Sequence, residues 1–173
     1  METYVRARTA EAMLDAAAKV DRALHGAAIA SGCTVEVETV PGFLPLANDA
    51  SLAEIFRGTA SRLFGPEAIQ DLPHSGGSTD AGDLSHLMPV LHPHMTGARG
   101  IVHGKDWHIA DVDDGYLAPA KTLAMMAVEL LGEDARQARQ VLESHKPALS
   151  KSEYLQQQQE IFRTDVYGPI SKS

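Results

Sequence analysis

The sequence predicts an α/β fold, and three features carry that prediction. Residues Thr34 to Val40 alternate polar and apolar, as a half-buried strand does. Before them, Met13, Ala17, Val20, Leu24 and Ala27 recur at spacings of four and three, the stripe of an amphipathic helix. With 173 residues the chain has the length of one ordinary domain, enough to bury a core.

In chain order, Thr3 to Arg8 reads as a short strand, and Thr9 is placed to cap the first helix, whose last turns Gly26 weakens. The alternating strand follows and stops at Pro41-Gly42, so the first forty residues read as one β-α-β unit. A second helix is expected from about Ser51 to Phe64, with Leu52, Ile55, Phe56, Ala60 and Leu63 on one face and Gly65-Pro66 as its stop. Ala68 to Leu72 reads as a short strand, and Ser78 or Thr79 as the cap of a short helix running towards Leu87. Pro89 to His92 reads as a buried strand. Pro119 suits the first turn of a core helix that continues from Ala120 to Leu131 and stops at Gly132; Glu133 to Ser144 is a further helical stretch. Ser150-x-x-Glu153 is a capping box opening a polar helix through Phe162, with Gln156 to Gln159 as its solvated face. There is no internal repeat.

A formal charge of −8, with no two Lys or Arg residues adjacent, argues against nucleic acid or an anionic membrane as partner, since both need clustered positive charge. The first residues carry a charge at position 2 and no apolar segment, unlike a secretory signal, and no apolar run approaches the roughly 20 residues of a membrane span. The single cysteine, Cys33, forms no internal disulfide and rules out a multi-thiolate zinc site within one chain. A cytoplasmic location is the resulting expectation.

Six of the eight histidines fall between His74 and His108, interleaved with Gly76-Gly77-Ser78-Thr79-Asp80 and Gly100-Ile101-Val102-His103-Gly104. Imidazole and carboxylate are common ligands of zinc-like ions, and glycine admits close backbone approach. His92-x-His94 fits joint metal ligation on a strand or an ordinary solvated pair. His103, followed by Asp106, Trp107, His108 and Asp111, is a candidate ligand or one exposed histidine among several. The turn at Gly77, Ser78 and Thr79 fits a carboxylate-binding helix start and an ordinary capped turn equally well. Arg6 is within reach of an anionic substrate or is a surface arginine without specific contacts. His25 and His145 read as structural or solvent-facing.

The order of these elements, with Gly77-Ser78-Thr79-Asp80-x-Gly82-Asp83-x-Ser85 and His103-Gly104 ahead of an alanine-rich helix, resembles the C-terminal half of a dinuclear-metal peptidase and amidohydrolase family. That family includes carboxypeptidase G, aminoacylase and succinyl-diaminopimelate desuccinylase. The likeness is greatest to the branch containing the p-aminobenzoyl-glutamate hydrolase B subunit. It implies a zinc-exopeptidase-like catalytic domain, its C-terminal part at residues 45 to 173. Residues 1 to 44 would be the second, β-α-β half of a ferredoxin-like lid and dimerisation domain. It places His103 on the family's final metal-binding histidine, Gly77, Ser78 and Thr79 on a segment shaping the substrate pocket, and Arg6 on a lid arginine that in some members meets the substrate carboxylate.

The resemblance further implies two divalent ions, zinc or manganese, and hydrolysis of an amide bond in an N-acyl or aminobenzoyl amino acid or a small peptide. The chain departs from the family in having no His-x-Asp motif and no Glu-Glu pair to supply the general base. One histidine does not hold two ions, and a metal-bound water without its base loses most of its use. The expectation is a fragment or split subunit that is inactive alone. The alternative is a non-catalytic interaction subunit that completes a hydrolase with a separate N-terminal half. A homo-oligomer, or a complex with that half, is expected on either reading.

Overall fold

The computed structural model describes residues 1–73 and 75–168. His74, one of the six clustered histidines, and residues 169–173 lie outside them. The described chain is mixed α/β, with two small antiparallel sheets, and divides into two compact units.

Among the described residues, the first unit comprises 1–47, 73, 75–87 and 147–168. Its first helix, α1 (Ala10–Ser31), starts where Thr9 accepts a hydrogen bond from the Ala12 amide at 3.2 Å and ends at Gly32, whose φ of 69° closes the last turn. Met13, Ala17, Val20 and Leu24 form the half-buried face as expected, but Ala28 rather than Ala27 takes the buried place in the last turn. Strand β1 (Val35–Thr39) turns Val35, Val37 and Thr39 inward and Glu36 and Glu38 outward. Its partner is not the N-terminal segment. Thr3 to Arg8 has no regular structure, and β1 instead pairs antiparallel with a strand near the chain's other end, Arg163–Tyr167, with Val37 opposite Asp165. The β-α-β reading of the first forty residues is corrected to α-β: the closing Arg-Thr-Asp-Val-Tyr segment, rich in strand formers, fills the place.

The second unit comprises residues 48–72 and 88–146. Helix α2 (Ala50–Phe64) is capped by Asp49, packs on a long helix near the unit's end, and leads through Gly65 into a 3₁₀ turn, Pro66–Ala68. The strand expected at Ala68 to Leu72 is therefore absent, because Pro66 starts a turn that closes with Ile69 N–H on the Pro66 carbonyl. Pro89 to His92 is irregular as well. Pro89 and Pro93 lack amide donors, and single bonds hold the segment, from Asp49 N to Val90 O at 2.8 Å and from His92 N to Asn48 Oδ1 at 2.9 Å.

Back in the first unit, the short helix α3 (Ala81–Ser85) is capped by Asp80, not by Ser78 or Thr79, since the Asp80 carboxylate takes the Ala81 amide at 2.9 Å. In the second unit, β2 (Ala98–Arg99) and β3 (His108–Ile109) form a hairpin, and a π-helical turn, Asp113–Leu117, runs into α4 (Ala118–Ser144) with Pro119 in its first turn. The break expected at Gly132 is present: Gly132 is extended, and Glu133, Asp134 and Ala135 take φ values of 50°, 59° and 55°. The expectation of a core helix before it is corrected. Only the face towards α2 is covered, and Leu123, Val128 and Leu131 are exposed.

The first unit closes with α5 (Lys151–Ile161) and β4 (Arg163–Tyr167). The capping box at α5 is formed, with Ser150 N donating to Glu153 Oε2 at 2.7 Å and Glu153 N to Ser150 Oγ at 3.2 Å. The glutamine run is only partly a solvated face: Gln156 and Gln159 are exposed, while Gln157 and Gln158 are half-buried.

Candidate functional site

The Gly77 to Ser85 motif is divided between two tasks, and its second half is a clamp on the loop at residues 43–47. The Asp83 carboxylate accepts the Leu44 amide at 2.8 Å; the buried Ser85 hydroxyl accepts the Ala47 amide at 3.0 Å and donates to the Gly82 carbonyl at 2.6 Å. His86 Nε2–H donates to the Pro45 carbonyl at 2.9 Å, which fixes its tautomer. Leu44 is 1% exposed, and its carbonyl lies so near Gly82 that a Cβ there would stand 2.0 Å away. Only glycine fits at position 82. Asp83 thus has a backbone amide 39 residues away as its partner. His86, one of the clustered histidines, is a fastener.

The clamp sets the position of Phe43, which lines a cleft of about 400 Å³ together with Arg6 and Ser78. Asp83, Tyr154 and Gln158 line the same cleft. Arg6 Nη1 donates to the Gly76 carbonyl at 2.8 Å, and its guanidinium carbon lies 5.5 Å from the centre of the Tyr4 ring. These two contacts orient the guanidinium and leave its other N–H groups for an acceptor. The Tyr4 hydroxyl bonds the Glu2 carboxylate, and that hydrogen bond together with the negative charge of Glu2 raises the phenol above its ordinary range. Burial pushes the phenol of Tyr154 on α5 above its ordinary range, and the negative charge of Asp83 adds to the effect.

Of the residues singled out from sequence, Arg6 and Ser78 share this cleft. Thr79 turns its hydroxyl to Asp80 Oδ1 at 3.1 Å, and Gly77 sits in the exposed turn beside it. Phe43, Tyr154 and Gln158 were not singled out, because nothing in their local spacing distinguishes them from an ordinary loop or helix face. Chemically, the cleft offers a cation, a carboxylate, a hydroxyl and aromatic surface.

His103 belongs to the second unit. It occupies the connection between β2 and β3 with φ of 63°, in a turn closed by Gly104 N–H on the Ile101 carbonyl at 2.7 Å. Its imidazole is exposed and makes no hydrogen bond to the described residues. His108 Nδ1–H donates to the Asp106 carbonyl at 2.8 Å, and the exposed His92 and His94 rings stand 5.7 Å apart, centre to centre. Among the described residues no three His, Cys, Asp or Glu side chains converge as a metal site would require. One imidazole does not hold a divalent ion, so this donor set does not by itself fit the metal centre that the resemblance implies.

His145 is neither free nor solvent-facing. Its Nδ1 lies 3.0 Å from Asp49 Oδ2, joining the end of α4 to the start of α2. Burial opposes ionisation of Asp49, but the amides of Leu52 and Ser51 and the His145 imidazole together outweigh it and hold the carboxyl below its usual range.

No protein-family model matches the chain, and no solved structure matches it. Two curated proteins are similar. The Xaa-Arg dipeptidase of Homo sapiens is 28% identical over 137 residues, covering 74% of this chain and 31% of that protein. The Xaa-Arg dipeptidase of Mus musculus is 27% identical over 141 residues, covering 76% of this chain and 32% of that protein. The chain therefore spans about a third of the length of the curated relatives it matches. These likenesses support a relationship to the peptidase and amidohydrolase superfamily. No helix among the described residues is long and apolar enough to cross a membrane.

Proposed function

We propose that this chain forms part of a metal-dependent hydrolase that cleaves the amide bond of a small peptide or of an N-acyl or aminobenzoyl amino acid. In this reading the Arg6 cleft receives the carboxylate end of the substrate. The observation that carries it is the guanidinium of Arg6, oriented by the Gly76 carbonyl and the Tyr4 ring in a cleft shared with Ser78 and Phe43. A planar guanidinium with unused N–H groups matches a carboxylate by paired hydrogen bonds, and the Ser78 hydroxyl adds a third donor. The aromatic surface of Phe43 suits an acyl or side-chain group next to that carboxylate.

The likeness to Xaa-Arg dipeptidases supports peptide-bond chemistry and makes a dipeptide the first substrate to test. His103 is proposed as one ligand of a divalent ion, zinc or manganese. The further donors and the general base are proposed to come from the N-terminal half of the family's fold, which these residues do not contain. No catalytic step is assigned to this chain's own residues; its part is to bind and orient the substrate.

The test is an amide-hydrolysis assay on the purified chain, with dipeptides and N-acyl amino acids, in the presence of Zn(II) or Mn(II). The chain alone is expected to bind these compounds without releasing product. Metal-dependent turnover abolished by His103→Ala would contradict the view that the ligand set is incomplete.

A further inference from the structure

We propose that Arg6 and Asp83 act together as a two-charge site, holding a ligand that carries both a carboxylate, on Arg6, and a cation, on Asp83. The inference rests on the reading of the cleft as a carboxylate site and narrows its ligand to a zwitterion. Arg6 and Asp83 line the same cleft of about 400 Å³, yet neither forms an ion pair with the other or with any other described residue. Opposite charges that share a cleft without pairing leave room for a molecule that answers both.

Asp83 is fixed before any ligand arrives. Its Oδ1 accepts the Leu44 amide at 2.8 Å, and its neighbour Gly82 packs against the Leu44 carbonyl. Oδ2 accepts no hydrogen bond from the described residues and keeps an accessible surface. The two charged groups ask for different partners. The unused N–H groups of Arg6 donate and match the oxygens of a carboxylate, whereas Asp83 Oδ2 accepts and matches an ammonium or guanidinium. A ligand with a carboxylate alone would bring a second negative charge into the cleft and leave that of Asp83 unanswered; a zwitterion meets an opposite charge at each group. The rings of Phe43 and Tyr154, which line the same cleft, accommodate a cation as well as the alkyl chain that carries it. In a dipeptide that cation is either a basic side chain or the N-terminal ammonium.

The experiment is calorimetric titration of the chain with two pairs of ligands, in each of which acetylation removes the cation: hippuryl-lysine with hippuryl-(Nε-acetyl)lysine, and glycyl-norleucine with acetylglycyl-norleucine. In one of the pairs the charged member is expected to bind about tenfold more tightly, and the pair that shows it identifies the source of the cation. Asp83→Asn keeps an oxygen for the Leu44 amide and removes the charge, and is expected to abolish the difference. In the wild type labelled with ¹³C at aspartate, the Asp83 carboxylate resonance is expected to move more with the charged member than with the acetylated one. If neither pair shows a difference, or that resonance moves equally with both members, or the difference survives in Asp83→Asn, Asp83 holds no cation and the proposal falls. The reading of Arg6 still stands in those cases if Arg6→Ala weakens all four ligands; if binding is indifferent to Arg6→Ala, both readings fall.

Discussion

Replacing Gly82 by alanine tests whether the motif at residues 82–86 works as a clamp. The added Cβ would lie 2.0 Å from the Leu44 carbonyl oxygen and 3.1 Å from its carbon, against backbone that cannot swing aside as a side chain would. The loop must retreat by on the order of 1 Å to restore van der Waals separation. That movement stretches the bonds from Leu44 N to Asp83 at 2.8 Å and from Ala47 N to Ser85 at 3.0 Å. Overpacking costs about 1–3 kcal/mol, and two weakened hydrogen bonds about 1 kcal/mol each, so a loss of about 3–5 kcal/mol is expected. Urea unfolding gives the overall change, and amide exchange at Leu44 and Ala47 reports it at the clamp itself. Gly76→Ala, where an added Cβ meets nothing within 4 Å, is the control and should change stability by less than about 0.5 kcal/mol. Equal stability of the two variants, with Leu44 still protected, would refute the close packing on which the argument depends.

Three further outcomes are expected. Ala135→Gly should stabilise the second unit by about 0.5–1 kcal/mol, because Ala135 holds a φ of 55° that glycine adopts without penalty; a loss of stability by thermal melting would show that the left-handed turn after Gly132 is not populated. Asp49→Ala should cost about 1–3 kcal/mol through loss of the α2 cap and of the His145 bond, read from urea unfolding followed by Trp107 fluorescence; a change below about 0.5 kcal/mol would argue against both contacts. The carboxyl of Asp49 is held below its unfolded value, so its contribution is complete above that value, about 3.9, and is lost as pH falls through the lower folded value. Stability measured below pH 4 should therefore fall less steeply in Asp49→Asn than in the wild type, and parallel curves would remove Asp49 from the account.

What could be read from the sequence was local. The stripe of α1, the alternation of β1, the capping box at Ser150 and Glu153, and the break at Gly132 each depend on residues within a turn or two of one another. What could not be read was pairing at a distance. The partner of Asp83 is 39 residues away, that of His86 is 41 away, and that of His145 is 96 away. Composition made the two histidines look like a candidate ligand and a solvent-facing group, whereas the fold uses His86 to hold a backbone carbonyl and His145 to hold the Asp49 carboxylate. Strand β4 was hidden for the same reason: its five residues gain their meaning from β1, more than a hundred positions earlier. In the site, a cation and a hydroxyl drew attention to Arg6 and Ser78. Gln158 did not, because one glutamine in a run of four carries no local sign that its amide nitrogen is buried.

The most direct test of the central claim is calorimetric titration of a dipeptide with a free C-terminal carboxylate into the wild-type chain and into Arg6→Ala. A guanidinium–carboxylate pair supported by further donors predicts a loss of about ten- to a hundredfold in affinity for the variant, together with a comparable loss when the dipeptide is amidated at its C-terminus. Equal affinity of both proteins for both forms of the dipeptide would contradict it.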